Sequence, residues 1–267
     1  MIEQGIIHEM GALELLEQIP GSGVHLVLTD PPYGVDFQSR MPVDGALKPK
    51  IAADKPREAI RLMRFCMDEF ARILVEGGVC MMFAQGGGPN SLLDMVLEPF
   101  KAKFTLETIL VWDRMVPGLG WVYRPQWDAV LVGYKGDKRK TWNGPANACN
   151  VLREMRDIPA KGEHPTPKPL KLIHRLILDN SNKGDLVIDP FCGGGTVPLS
   201  CELLGRRWIA CDLEPQWVAL ARGKLEAERA QIKMHEADGS LAALPFEDDS
   251  IQARAEKETV AQLDLQF

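Results

Sequence analysis

The sequence predicts an α/β fold built on a mostly parallel, doubly wound sheet, and three observations carry that expectation. Short apolar runs rich in β-branched residues recur along the chain and end abruptly in polar residues or in Gly and Pro. Segments with helical apolar spacing lie between several of these runs. The runs read as buried strands, as in a parallel sheet covered by helices on both faces.

The expected strands are HLVLTD (25–30), GVCMMFA (78–84), TLETILVW (105–112), AVLVGYK (129–135), DLVID (185–189) and RWIACD (207–212). Helical spacing predicts a helix from Ala59 to Leu74. A second follows Pro169, whose ring suits a first helical turn, with Leu170, Ile173 and Ile177 on one row and Leu172 and Leu176 beside it. A third runs from Pro198 to Leu204, where Gly205 is placed to stop it. Residues 34–58 and 136–168 are rich in Pro, Gly and charge, and loops of that length in a compact domain are usually functional or disordered. Residues 245–267 have low apolar content and read as a mobile or loosely docked tail.

A chain of 267 residues and 29.7 kDa suffices for one large domain, and 45% hydrophobic with 25% charged residues excludes disordered, collagen-like and disulfide-stapled classes. No apolar run approaches the ~20 residues of a membrane span, and MIEQGIIHEM lacks the basic and apolar segments of a signal peptide, so a cytoplasmic protein is expected. The six cysteines form no CxxC pair, and the five histidines form no HxH or HExxH, so neither disulfides nor a metal site are expected. Net charge is −6, but residues 226–267 carry ten acidic and four basic side chains, which leaves 1–225 neutral. From Lys135 to Arg175 ten basic residues face four acidic ones, a net of +6 that suits a polyanion or, more plainly, a solvated basic face.

Two motifs carry chemistry. DLVIDPFCGGGTVPLSCELLGRRWIACDLEP reads as strand, glycine turn, helix and strand, with Asp212 17 residues beyond Gly195. Glycines there permit backbone angles and close approach that a Cβ forbids. A carboxylate at the end of the following strand accepts hydrogen bonds from a ribose diol, so the pattern predicts an adenosine-type ligand. A phosphate-binding GKS or GKT is absent, and Pro198 stands where a dinucleotide fingerprint has its third glycine. The second motif, Asp30-Pro31-Pro32-Tyr33, ends the strand HLVLT on the same sheet edge. Two prolines fix the backbone and donate no hydrogen bonds, so the Asp30 carboxylate and the Pro31 carbonyl form a rigid acceptor pair suited to an amino group. Tyr33 offers a face for stacking on a base. A rigid strand-ending turn is the plain alternative.

DPPY together with FxGxG (Phe191, Gly193, Gly195) resembles the S-adenosylmethionine-dependent DNA amino-methyltransferases, which act on adenine N6 or cytosine N4. DPPY precedes the glycine loop by about 160 residues, an order that looks like the beta group of the family. HPTPKPLKLIHRLI (164–177) is similar to that group's HPTxKP segment, and the lead-in ALELLEQIPGSGVHLVLTDPPYGVDF is similar as well. The resemblance spans roughly residues 6–225. It implies a Rossmann-like methyltransferase fold with permuted motif order and a small inserted recognition region. The catalytic domain then covers 1–244, with 136–163 and part of 34–58 contacting the target and 245–267 as an acidic tail. It implies Asp30, Pro31, Pro32 and Tyr33 as catalytic residues. It places the cofactor on Asp189, Phe191, Gly193, Gly195, Thr196 and Asp212, with Thr166 and Lys168 holding its methionine part. Relatives often carry Gly-Asp before the ALELL-like helix, where this chain has Met10-Gly11.

The implied function is site-specific methylation of double-stranded DNA on a flipped-out base, in a restriction-modification setting and with dimers common among relatives. Tyr33 after DPP leans toward adenine N6. Cytosine N4, or a DNA-binding relative without turnover, are the alternatives. Phosphates beside the cleft are the expected partners of the basic segment, and Arg124, Trp121 and Trp127 are candidates for lining the base channel.

Overall fold

The computed structural model describes residues 2–32, 56–86, 91–118, 122–156 and 167–238. The chain begins with β1 (Ile7–Glu9), α1 (Ala12–Glu17) and β2 (Val24–Thr29). It continues through α2 (Pro56–Ile73), β3 (Leu74–Gln85), α3 (Leu92–Lys101), β4 (Thr105–Asp113), β5 (Trp127–Tyr134) and β6 (Val151–Arg153). The last third holds α4 (Leu170–Asn180), β7 (Leu186–Asp189), α5 (Thr196–Leu203), β8 (Arg207–Asp212) and α6 (Pro215–Asp238). All six expected strands are present, and the three expected helices correspond to α2, α4 and α5.

The described strands form one sheet of eight, in the order β1-β8-β7-β2-β3-β5-β4-β6. β1, β8, β7, β2 and β3 pair in parallel; β5 runs against both β3 and β4, and β6 lies parallel to β4. Seven of the eight therefore point one way. The strands are apolar on both sides because both sides are covered. Leu26, Leu28, Val79, Met81 and Phe83 face α4, α5 and α6, while Val24, Val27, Cys80, Met82 and Ala84 face α1, α2 and α3. This is the alternation of a strand whose period is two, with a core on each face.

Chain direction reverses its progress across the sheet at β2. From β2 the chain moves to β3 on one side, and from β7 it moves to β8 on the other. The carboxyl ends of β2 and β7 thus flank a topological switch point, where open α/β sheets bind ligands. Helix termini are tied locally. Arg72, in the last turn of α2, donates to the carbonyls of Leu16 (2.8 Å) and Ile19 (2.9 Å), which satisfies groups just past α1 that its own turns leave open.

The span 136–163, expected as a recognition segment, forms no separate lobe in its described part. Lys135 and Lys140 pair with Gly77 at the amino-terminal end of β3, the edge opposite to Asp30. The chain then crosses the α4 side of the sheet, where Asn143 N–H bonds the Asp179 carbonyl, and joins the edge as β6. The basic residues are consequently divided. Lys135, Lys138 and Lys140 stand at the far edge, whereas Arg153 and Lys168 lie at the edge that carries Asp30. The expected tail lies outside the described residues, as does most of 34–58.

Candidate active site

Three carboxylates reach the switch point from three adjacent parallel strand ends. Asp30 follows β2, Asp189 ends β7 and Asp212 ends β8. Two sequence motifs separated by about 160 residues meet through one contact: Thr29 Oγ1 donates to Asp189 Oδ1 at 2.8 Å. The same oxygen accepts the Phe191 N–H at 3.1 Å, which shapes the start of the glycine turn.

Asp189 is buried, and burial pushes its carboxyl up to about 7; the bonds from Thr29 and Phe191 oppose the rise, and the charges of Asp30 and Asp212 add to it. Asp212 is also raised by burial and held back by backbone N–H groups. Its Oδ2 accepts from Gly193 N–H at 2.9 Å and its Oδ1 from Glu214 N–H at 2.9 Å. Each oxygen keeps lone-pair capacity for a ligand hydroxyl. Such a concentration of buried negative charge suits a cationic ligand that carries a diol.

The glycine turn has a packing reason besides ligand approach. Gly195 has φ +81° and precedes Thr196, the first residue of α5; a Cβ on it would stand 2.7 Å from the Ala221 Cβ of α6. α6 therefore packs against the turn only if residue 195 is glycine. Thr196 and Phe191 are half-buried beside it. Glu9 ends β1 in register with Asp212, and Met10 N–H bonds the Asp212 carbonyl at 3.1 Å. An exposed carboxylate thus stands beside the diol-binding position, next to the Met10-Gly11 pair.

On the other side of the switch point, Pro31 is buried and Pro32 half-buried. Asp30 forms an ion pair with Lys168 through Oδ2, and its Oδ1 is buried with no hydrogen-bond partner among the described residues. The Lys168 ammonium lies 4.9 Å from the Phe83 ring centroid and 5.9 Å from that of Trp112. Lys168 is thus near Asp30 and not, in this arrangement, near Asp212. Tyr33 and Thr166 lie outside the described residues, as do Trp121 and Phe37.

Two functional side chains were not anticipated from the sequence. Asp128 pairs in register with Gln85 on one side and Trp112 on the other, and it is buried at the same edge as Asp30. Burial raises its carboxyl, while the charges of Lys168 and Arg114 pull it down. Arg114 approaches Asp128 at 3.5 Å and is anchored by the carbonyls of Pro125 (2.8 Å) and Gln126 (3.2 Å). An aspartate opening an otherwise apolar strand, QWDAVLVG, is the signal that marks it.

Arg124, a candidate for the base channel, donates instead to the Gly118 carbonyl at 2.6 Å. Trp127 lies half-buried against Gly86 at the active edge. Between β4 and β5 at this edge, Met115, Val116, Val122 and Tyr123 are all exposed, Tyr123 by 96%. The described helices include none long and apolar enough to cross a membrane.

Comparison with known proteins agrees with this arrangement. The chain is similar to the DNA adenine methyltransferase YhdJ of Escherichia coli (strain K12), 27% identical over 256 residues that cover 83% of this chain and 82% of that one. Among solved structures, the cytosine-N4-specific PvuII DNA methyltransferase superposes with a TM-score of 0.63 at 20% identity, covering 83% of this chain and 86% of the other. A DNA modification methylase from Thermus thermophilus, complexed with S-adenosyl-L-methionine, gives 0.60 at 24% identity over 84% of this chain and 93% of that one. Both structures share the fold. With the DNA methylase family model matching residues 24–223, from the first residue of β2 into α6, the chain belongs to the N6/N4 DNA methylase family.

Proposed function

We propose that the protein transfers a methyl group from S-adenosylmethionine to N6 of adenine in double-stranded DNA. The observation that carries this reading is the Asp30 Oδ1 atom, a buried acceptor with no partner among the described residues, one strand away from the glycine turn. An acceptor held in that state suits a donor brought by the substrate, and an exocyclic amine is such a donor.

The residues present fit the donor molecule. Its sulfonium and ammonium are cations, and Asp189 and Asp212 supply buried negative charge on two neighbouring strands. Asp212 is assigned to the ribose diol, with Gly193 holding its carboxylate in place. When bound, the sulfonium supplies an already activated methyl group. The chain's own work is then alignment, which is worth several kcal/mol of barrier. Asp30 and the Pro31 carbonyl accept the amine's hydrogens and favour a more tetrahedral nitrogen whose lone pair is less delocalised. The base must leave the duplex first, at a cost of a few kcal/mol. Tyr33, next in the chain, is assigned to stack on it. The exposed apolar tip between β4 and β5, with Arg153 nearby at the same edge, suits contact with DNA around the opened site.

Adenine is preferred over cytosine because the resemblance associates DPPY with adenine N6 and Ser-Pro-Pro variants with cytosine N4. The similarity to an adenine methyltransferase over four-fifths of the chain supports the same reading. The test is direct. DNA incubated with the protein and S-adenosylmethionine is digested to nucleosides, which are weighed by mass spectrometry. N6-methyladenosine is expected; N4-methylcytidine, or no methylated nucleoside, overturns the assignment.

A further inference from the structure

By resemblance, Lys168 belongs to the methionine part of the cofactor, yet its ammonium is committed elsewhere. The side chain is 11% exposed and pairs with Asp30 Oδ2. The rings of Phe83 and Trp112 border the ammonium, and both are fixed in the core. Trp112 is held by its Nε1–H bond to the Glu154 carbonyl at 2.8 Å and by an edge-on contact with Phe83, ring centroids 6.3 Å apart. Aromatic faces favour a cation between them and exclude water from it.

Behind the ammonium stands Asp128, buried in β5 and opposite Trp112 in the sheet register. Its carboxyl feels both Lys168 and Arg114. The guanidinium of Arg114 is itself anchored by two backbone carbonyls. Charges thus alternate from Asp30 through Lys168 and Asp128 to Arg114, all at the active edge. An uncompensated buried charge costs several kcal/mol, so each member of such a row constrains its neighbours. Moving Lys168 toward a cofactor carboxylate would leave both aspartates without their shared cation.

We infer that Lys168 is a positioning residue for the transfer step. It holds the Asp30 carboxylate through Oδ2 so that Oδ1 faces the target amine, and Asp128, fixed by Arg114, holds Lys168. The inference rests on the reading that Asp30 serves the amine of a DNA base. It assigns to Lys168 an effect on rate rather than on cofactor affinity, and it gives Asp128 and Arg114 a part in the same step.

The test uses the full-length protein. Single-turnover transfer is measured at saturating DNA and S-adenosylmethionine, and cofactor affinity by calorimetry, for Lys168→Met, Lys168→Arg, Asp128→Asn and the Lys168→Met/Asp128→Asn pair. Lys168→Met is expected to slow transfer by about 100-fold and to change cofactor Kd by less than about 3-fold, the mark of an interaction used in the transition state. Lys168→Arg recovers part of the rate. Asp128→Asn slows transfer about 10-fold alone and adds nothing in the Lys168→Met background, as expected of residues acting as one unit. A rise in cofactor Kd with an undiminished saturated rate, equal losses in both, or additive effects of the two substitutions would each overturn the inference. If Lys168→Met does not fold, Asp128→Asn and Lys168→Arg decide by the same split between rate and affinity. A wild-type protein that methylates no base would instead defeat the functional reading itself.

Discussion

Asp189 determines how the site responds to pH. Its carboxyl is raised to about 7 chiefly by burial, so it is partly protonated near neutrality. For the ligand-free fold the sign is unfavourable to ionisation. A carboxyl raised above its unfolded value lowers stability as pH rises from about 4 through about 7, by at most roughly 4 kcal/mol. A cationic ligand reverses the preference, because it binds the ionised form. Under the proposed function, affinity for S-adenosylmethionine is full above pH 7 and weakens as pH falls through that value, approaching tenfold per pH unit. Calorimetric titrations across this range, with Asp189→Asn as the control whose profile flattens, check it. A wild-type profile no steeper than that of the variant contradicts the role. At this scale the site was legible where a residue closes a strand next to Pro or Gly, as Asp30, Asp189 and Asp212 do. Asp128 and Arg114 were not, because their meaning comes from register with Trp112 and from Lys168, which lies 40 residues beyond Asp128 in the chain.

Among the elements, the glycine turn and α6 constrain each other. Gly195→Ala places a methyl group 2.7 Å from the Ala221 Cβ and 3.3 Å from its Cα, at φ +81°. Gly184 has the same φ of +81° but nothing within 4 Å of the added Cβ. Gly184→Ala therefore isolates the backbone cost, about 1 kcal/mol, and Gly195→Ala should exceed it by about 1–3 kcal/mol of overpacking. Urea midpoints at unchanged slope measure the difference. Equal losses would mean that α6 yields without cost and that the turn is not pinned by packing. The elements missed in the sequence share physical causes. β1 and β6 are three residues each, too short to show a period, and they are strands only because β8 and β4 offer parallel edges. α3 carries Pro99 inside, which disguises its apolar row of Leu92, Val96 and Phe100. α6 buries only a narrow stripe of Val218, Ala221 and Leu225, within a mostly charged stretch.

For the whole molecule, sheet topology joins the two motifs. Strand order places β7 next to β2, so Asp30 and the glycine turn stand at neighbouring strand ends although about 160 residues separate them. The common edge was legible, because both motifs follow apolar strands of a parallel sheet. The distribution of positive charge was not. Lys135 to Arg175 is one basic segment in sequence, but the antiparallel turn of β5 carries its first lysines to the far edge. Only the pairing of β5 against β3 reveals that reversal.

The most direct test combines transfer and cofactor binding in Asp30→Ala. With Asp30 serving the target amine, the variant should lose methyl transfer by several orders of magnitude, while calorimetry finds S-adenosylmethionine bound with nearly wild-type affinity. Near-normal turnover in Asp30→Ala, or a loss confined to cofactor affinity, would contradict the account.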